Sequence, residues 1–109
     1  MPSKIVQVNF KLNVPVSDFL NLCDSVAETF ANVPGMRWKI WLLNEGETEA
    51  GGIYLFETEE AANAYLTGPL FAEVRKMPQL RDISVKTFGV MENVSAITRA
   101  PIAVAAAAR

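Results

Sequence analysis

The stretch Met36-Arg37-Trp38-Lys39-Ile40-Trp41-Leu42-Leu43-Asn44-Glu45-Gly46-Glu47-Thr48-Glu49-Ala50-Gly51-Gly52-Ile53-Tyr54-Leu55-Phe56 decides how the rest of the chain is read. It contains two runs rich in aromatic and β-branched residues, Met36 to Leu43 and Ala50 to Phe56. Between them lies a five-residue polar loop, Asn44 to Thr48, with a glycine near its centre. Two such runs joined by a short polar loop predict a β-hairpin. A symmetric hairpin about Gly46 sets Met36 opposite Phe56, Trp38 opposite Tyr54 and Trp41 opposite Gly51. A slip of one residue would turn these side chains to the other face of the sheet.

Upstream, Lys4 to Leu12 alternates, with Val6, Val8, Phe10 and Leu12 on one side and Ile5, Gln7, Asn9 and Lys11 on the other. That period of two predicts a strand. Pro15 breaks it, and Ser17 or Asp18 is placed to cap a helix over roughly 17–31. Phe19, Leu22, Cys23, Val26 and Phe30 recur at helical spacing along it, and Asn32-Val33-Pro34-Gly35 ends it.

Downstream, Thr58 is a candidate N-cap, with Glu59 and Glu60 in the positive first turn of a second helix. Gly68-Pro69 interrupts that helix. Leu70, Phe71, Val74 and Met77 continue as a further helical piece, which Pro78 ends. A last strand is expected from about Ile83 to Met91. Asn93 to Arg109 has no core pattern and is expected to be an arm on a partner or a frayed end. The order β-α-β-β-α-β specifies an α+β fold of ferredoxin-like type, a four-stranded antiparallel sheet with helices on one face. One domain over 1–97, followed by an Ala-rich tail over 98–109, is the expected organisation.

The hairpin also argues for a homodimer. Trp38, Ile40 and Leu42 stand against Trp41 and Leu43, and Tyr54 and Phe56 against Ile53 and Leu55, so both sheet faces are apolar. Helices cover one face, and a second copy of the sheet is the simplest cover for the other. Half of the 109 residues are hydrophobic, which fits a chain with more apolar surface than one small core can hold.

A net charge of −2 without a Lys/Arg cluster argues against nucleic-acid binding. No apolar run approaches the roughly 20 residues of a membrane span, and the start of the chain does not read as a signal peptide. Cys23, the single cysteine, excludes an internal disulfide and fits a cytoplasmic protein. Histidine is absent, which removes the commonest general base, transition-metal ligand and axial haem ligand. No metal site is expected.

Several residues remain as candidates for chemistry, each with a plain packing reading beside it. Trp38 and Tyr54, if the symmetric register holds, line a flat pocket for an aromatic ligand; otherwise they are core. Arg37 and Lys39 fall on the face of Trp41 and can hold an anion or lower a phenol's pKa, or pack their stems on aromatic surface. Lys86 has the same two readings. Glu57, Glu59 and Glu60 read as capping and solvated charge. Gly51-Gly52 lies inside a strand and marks close packing or a bulge rather than a phosphate loop. Cys23 reads as inert core.

The strings Pro34-Gly35-Met36-Arg37-Trp38-Lys39-Ile40-Trp41 and Glu49-Ala50-Gly51-Gly52-Ile53-Tyr54-Leu55-Phe56 resemble the YdhR-type monooxygenases. Ala64-Tyr65-Leu66 and Lys86-Thr87-Phe88-Gly89-Val90 fit the same pattern, so the resemblance covers about residues 5 to 97. It implies a dimeric α/β barrel, in which two sheets close together and each subunit keeps its own cleft. Members of that wider group include cofactor-free monooxygenases of polycyclic phenols, isomerases, haem-degrading enzymes and stress proteins. A histidine-ligated haem enzyme is disfavoured, because this chain has no histidine.

The function expected is therefore a cofactor-independent monooxygenase for an aromatic or quinol-like molecule. Tyr54 and Lys39 are its expected catalytic residues, and Trp38, Phe56 and Lys86 its expected substrate-binding residues. The alternative is a non-catalytic dimer that binds a small hydrophobic ligand in the same cleft.

Overall fold

The computed structural model describes residues 3–102. Its elements run β1 (Lys4–Leu12), α1 (Val16–Ala31), β2 (Met36–Asn44), a short 3-10 turn (Glu45–Glu47), β3 (Glu49–Phe56), α2 (Glu59–Leu66), α3 (Pro69–Lys76), β4 (Leu80–Gly89) and α4 (Glu92–Ile97). The four strands form one antiparallel sheet in the order β2-β3-β1-β4. The expected ferredoxin-like architecture is thus present.

The core lies between the sheet and α1, α2 and α3. Val6, Val8, Phe10 and Leu12 of β1 are all buried, as the alternation predicts. Each such side chain contributes about 1.5–3 kcal/mol of hydrophobic stabilisation. Phe19 and Phe30 bury the two ends of the apolar face of α1. Thr58 caps α2 by accepting a hydrogen bond from the Ala61 backbone N–H at 3.1 Å. Pro69 stands at the first position of α3, where its missing N–H costs nothing.

Four local expectations change. Helix α1 begins at Val16 behind Pro15, with no side-chain cap. Ser17 and Asp18 lie inside its first turn, where the Asp18 charge favours the helix dipole. Strand β4 begins at Leu80 rather than Ile83, because Asp82 adopts a left-handed φ of 57° and takes up an irregularity opposite Asn9 to Lys11. It ends at Gly89, and the next residues form α4, too short to show a periodic pattern in the sequence.

The fourth change is the hairpin register. Met36 does face Phe56, but Trp38 faces Leu55, Lys39 faces Tyr54 and Trp41 faces Gly52. The register shifts between Met36 and Trp38, so Arg37 is the extra residue of a bulge. Its guanidinium reaches out to the Glu57 carboxylate at 3.8 Å.

After α4 the chain returns to its own sheet, where Trp38 Nε1 donates to the Pro101 carbonyl at 2.8 Å. Residues 98–102 therefore lie on the open face of this same chain, and residues 103–109 of the Ala-rich tail lie outside the described residues. At the other end, the Ser3 backbone N–H donates to Glu92 Oε2 at 3.1 Å, which ties the start of β1 to α4.

A Cβ on Gly51 would run into the Val8 carbonyl oxygen of the paired strand. Gly46 has open space around it. Gly51→Ala is expected to cost about 3 kcal/mol in urea unfolding, through forced separation of β1 and β3. Gly46→Ala is expected to stay within about 0.5 kcal/mol of the parent.

Candidate active site

The one-residue offset of β2 places Lys39, Trp41, Gly52 and Tyr54 together on the helix-covered face. Gly52 matters here because it leaves room for its neighbour across the strands. A Cβ at that position would lie 2.9 Å from Lys39 Cε and 3.3 Å from Tyr54 Cε1. The lysine stem lies flat over the missing side chain, and its amine turns inward.

That amine sits against aromatic faces. Lys39 Nζ is 3.5 Å from the Trp41 ring centroid, 3.6 Å from that of Phe30 and 4.8 Å from that of Tyr54. Phe30 and Trp41 meet edge to face at 5.5 Å, which fixes the two nearest walls. Among the described residues, the ion pairs are Arg37 with Glu57 and Arg81 with Asp82, so no carboxylate partners Lys39. Loss of water around the ammonium lowers its pKa to about 7, while the Cys23 thiol group opposes this weakly. The ring faces also favour the cation and act against the desolvation.

Tyr54 provides the second polar group. Its hydroxyl accepts from the Tyr65 hydroxyl at 3.3 Å, which leaves its own hydrogen to donate elsewhere. Burial pushes both phenols above their ordinary pKa, so both are protonated donors at neutral pH. Phe56 stacks on Tyr54 at 6.2 Å with the rings 11° from parallel, and Phe71 packs against Tyr65 at 5.4 Å. These rings hold the two phenols in place.

Lys39, Trp41 and Tyr54 form the sheet wall of a partly open cavity of about 40 Å³. Phe19, Leu22, Cys23, Val26 and Phe30 of α1 line its other side. That volume holds a water molecule or two. A ring-sized ligand requires α1 to move outward. Leu22, Cys23 and Val26, which face the cavity from α1, are only half-buried. A groove of about 350 Å³ near Asn32, Ala61 and Leu70 is larger, but no charged side chain lines it.

The predicted residues divide between the two faces. Lys39 and Tyr54 come together, and Phe56 supports Tyr54 from behind without lining the cavity. Trp38 and Lys86 do not join them. Trp38 pairs with Leu55, and Lys86 pairs with Gln7, which places both on the open face of the sheet. The cause is the offset register for Trp38 and the strand alternation for Lys86. Phe30, Trp41 and Gly52 belong to the site although the sequence suggests only packing for them. Cys23 also lines the cavity; burial raises its thiol pKa, against the lowering effect of the Lys39 charge. Among the described residues, no three His, Cys, Asp or Glu side chains gather as a metal site.

Comparison with known proteins gives one family and a set of shared folds. Residues 5–101 match the family model described as "Putative mono-oxygenase ydhR". No curated protein matches. SnoaB of Streptomyces nogalater, described as a cofactor-independent oxygenase, is 16% identical, with a TM-score of 0.69 over 86% of this chain and 98% of its own. The ActVA-Orf6 monooxygenase of Streptomyces coelicolor, solved with Nanaomycin D, is 19% identical, with a TM-score of 0.64 over 82% and 88% of the two chains. MhuD of Mycobacterium tuberculosis, a heme-degrader solved with two hemes in its active site, is 21% identical, with a TM-score of 0.64 over 82% and 97%. At these identities the structures share the fold.

The buried amine predicts a specific pH dependence of stability. Because the folded pKa of Lys39 lies below its unfolded value near 10.4, the folded state binds fewer protons between about pH 7 and 10. The cost is full below pH 7 and fades as pH rises through that window. Lys39→Met is expected to stabilise the protein at pH 6 by on the order of 2 kcal/mol, and by less at pH 9.5. Urea unfolding of both proteins at the two pH values measures the difference.

Proposed function

The chain belongs to the ydhR mono-oxygenase family, and from that premise we propose that it oxygenates an aromatic, phenol- or quinol-like molecule without a bound cofactor. The observation that supports this reading is the juxtaposition of a near-neutral Lys39 amine and a protonated Tyr54 hydroxyl in one apolar cavity. The descriptions of SnoaB as a cofactor-independent oxygenase and of ActVA-Orf6 with Nanaomycin D agree with it.

Ground-state dioxygen reacts slowly with closed-shell organic molecules, so the substrate must first become an electron-rich anion. Tyr54 donates a hydrogen bond to a substrate oxygen, and neutral Lys39 removes the acidic proton. A base whose pKa lies near the working pH suits this transfer. The resulting ammonium stabilises the anion in a largely apolar site. The anion passes one electron to dioxygen, and the radical pair joins to form a carbon–oxygen bond and a peroxide anion, which takes the proton of the Lys39 ammonium to become a hydroperoxide. Loss of water from the hydroperoxide leaves a carbonyl, so a methylene compound and dioxygen give a ketone and water. Neutral Lys39 takes the remaining proton from the carbon bearing the hydroperoxide as the oxygen–oxygen bond breaks, and passes it to the departing hydroxide to give water.

The open face is assigned to a second copy of the chain. Ile40 and Phe88 are exposed there, and Trp38 and Lys86 lie on the same face, so these two serve the dimer rather than the ring pocket. Among the described residues, no helix is long and apolar enough to cross a membrane. The single cysteine supports a cytoplasmic location.

Oxygen consumption by chelator-treated protein with anthrones, naphthols and hydroquinones tests the proposal. Lys39→Met is expected to lower kcat by about 10²–10⁴-fold, and Tyr54→Phe by about tenfold. In the parent, kcat/KM is expected to rise with pH through about 7, because the neutral amine is the active form. Turnover unchanged in Lys39→Met would remove the proposed base. Quenching of Trp41 by the same compounds without oxygen uptake would assign the cavity to a binding protein.

A further inference from the structure

The Lys39 amine has a property that proton transfer does not exhaust. Its nitrogen stands among ring faces 3.5 and 3.6 Å away, no carboxylate pairs with it among the described residues, and the cavity beside it is lined mainly by apolar side chains. Hydration and ion pairing normally occupy a lysine nitrogen, and here both are reduced. Molecules that reach it through this cavity are small and apolar. A hydroxyl donor, Tyr54, lines the same space.

We infer that Lys39 is a nucleophile for small apolar aldehydes and ketones, with which it forms an imine. The nitrogen lone pair attacks the carbonyl carbon, and the carbonyl oxygen takes a proton to give a carbinolamine. The carbon–oxygen bond then breaks, the hydroxyl leaves as water with a proton delivered within the cavity, and the carbon–nitrogen double bond forms. Carbonyl compound and amine thus give imine and water, with no change in oxidation state. Tyr54 is the group placed to donate to the carbonyl oxygen during attack. This activity needs no dioxygen and stands apart from the oxygenation reading.

The protonation state of the amine supports the geometry. With a pKa of about 7, half of Lys39 is neutral at pH 7. An ordinary lysine near 10.4 is neutral in only about one molecule in a few thousand at that pH. Desolvated lysines in apolar pockets form imines for this reason. The chain holds four further lysines, Lys4, Lys11, Lys76 and Lys86, which act as internal standards.

The test uses the full chain under nitrogen at pH 7, with propanal as the carbonyl probe and sodium cyanoborohydride to fix any imine. Peptide mapping by mass spectrometry then counts alkylation at each lysine and at the α-amino group separately. Lys39 is expected to be labelled at least about tenfold faster than each of the other four lysines. Its rate is expected to rise with pH to a midpoint near 7, and the preference is expected to vanish in urea-unfolded protein. Lys39→Arg is expected to lose the fast site and keep the slow ones. Equal labelling of the five lysines in the folded protein, or slower labelling at Lys39 than at the rest, would overturn the inference, whatever the folding of the variant. Fast labelling at Lys39 in a protein that consumes no oxygen would sustain the imine chemistry and leave the oxygenase reading without support.

Discussion

Lys39 lies against Tyr54 because β2 pairs with β3 one residue away from symmetry about Gly46, and the bulge at Arg37 absorbs the difference. In an antiparallel pair each residue shares a face with the one directly opposite it. Symmetric pairing about Gly46 would put Trp38, and not Lys39, beside Tyr54. With the offset, Lys39 and Trp41 turn toward α1, Gly52 supplies the space for the lysine stem, and Phe30 closes over the amine. The cavity, its charge and its hydroxyl donor all follow from that placement.

The arrangement has an energetic cost that the rest of the fold offsets. An ammonium without a carboxylate partner in a largely apolar space is expensive, and its pKa falls because the neutral form is cheaper there. The ring faces recover part of the loss. The remainder is carried by the β1 row of Val6, Val8, Phe10 and Leu12 and by the cluster of Tyr65, Phe56 and Phe71 beneath Tyr54. A site that opposes stability in this way is expected where function has selected it. Stability and chemistry here depend on the same property of Lys39, its tendency to shed a proton near neutrality.

The sequence made some of this legible and hid the rest for physical reasons. The alternation of β1, the apolar face of α1, the Thr58 cap and the Gly68-Pro69 break are local signals, and local signals survive folding. Register is different, because it depends on how the loop closes. Glu45 to Glu47 form a 3-10 turn, and the left-handed φ of 49° falls on Thr48, a residue type that does not announce it, rather than on Gly46. Asp82 hid the start of β4 in the same way. Lys39 and Tyr54 were identifiable as chemical residues from their types and surroundings. Their adjacency was not, nor was the part played by Phe30, which contributes from a separate helix.

Titration of isotopically labelled lysine side chains by NMR, with Lys39→Met for assignment, tests the central claim most directly. Of the five lysine ε-amino groups, one is expected to titrate near pH 7, and that signal is expected to disappear in the variant. A Lys39 signal that titrates at the ordinary lysine value near 10.4 would show that the amine keeps its hydration and charge, and would contradict both the near-neutral base and the site built around it.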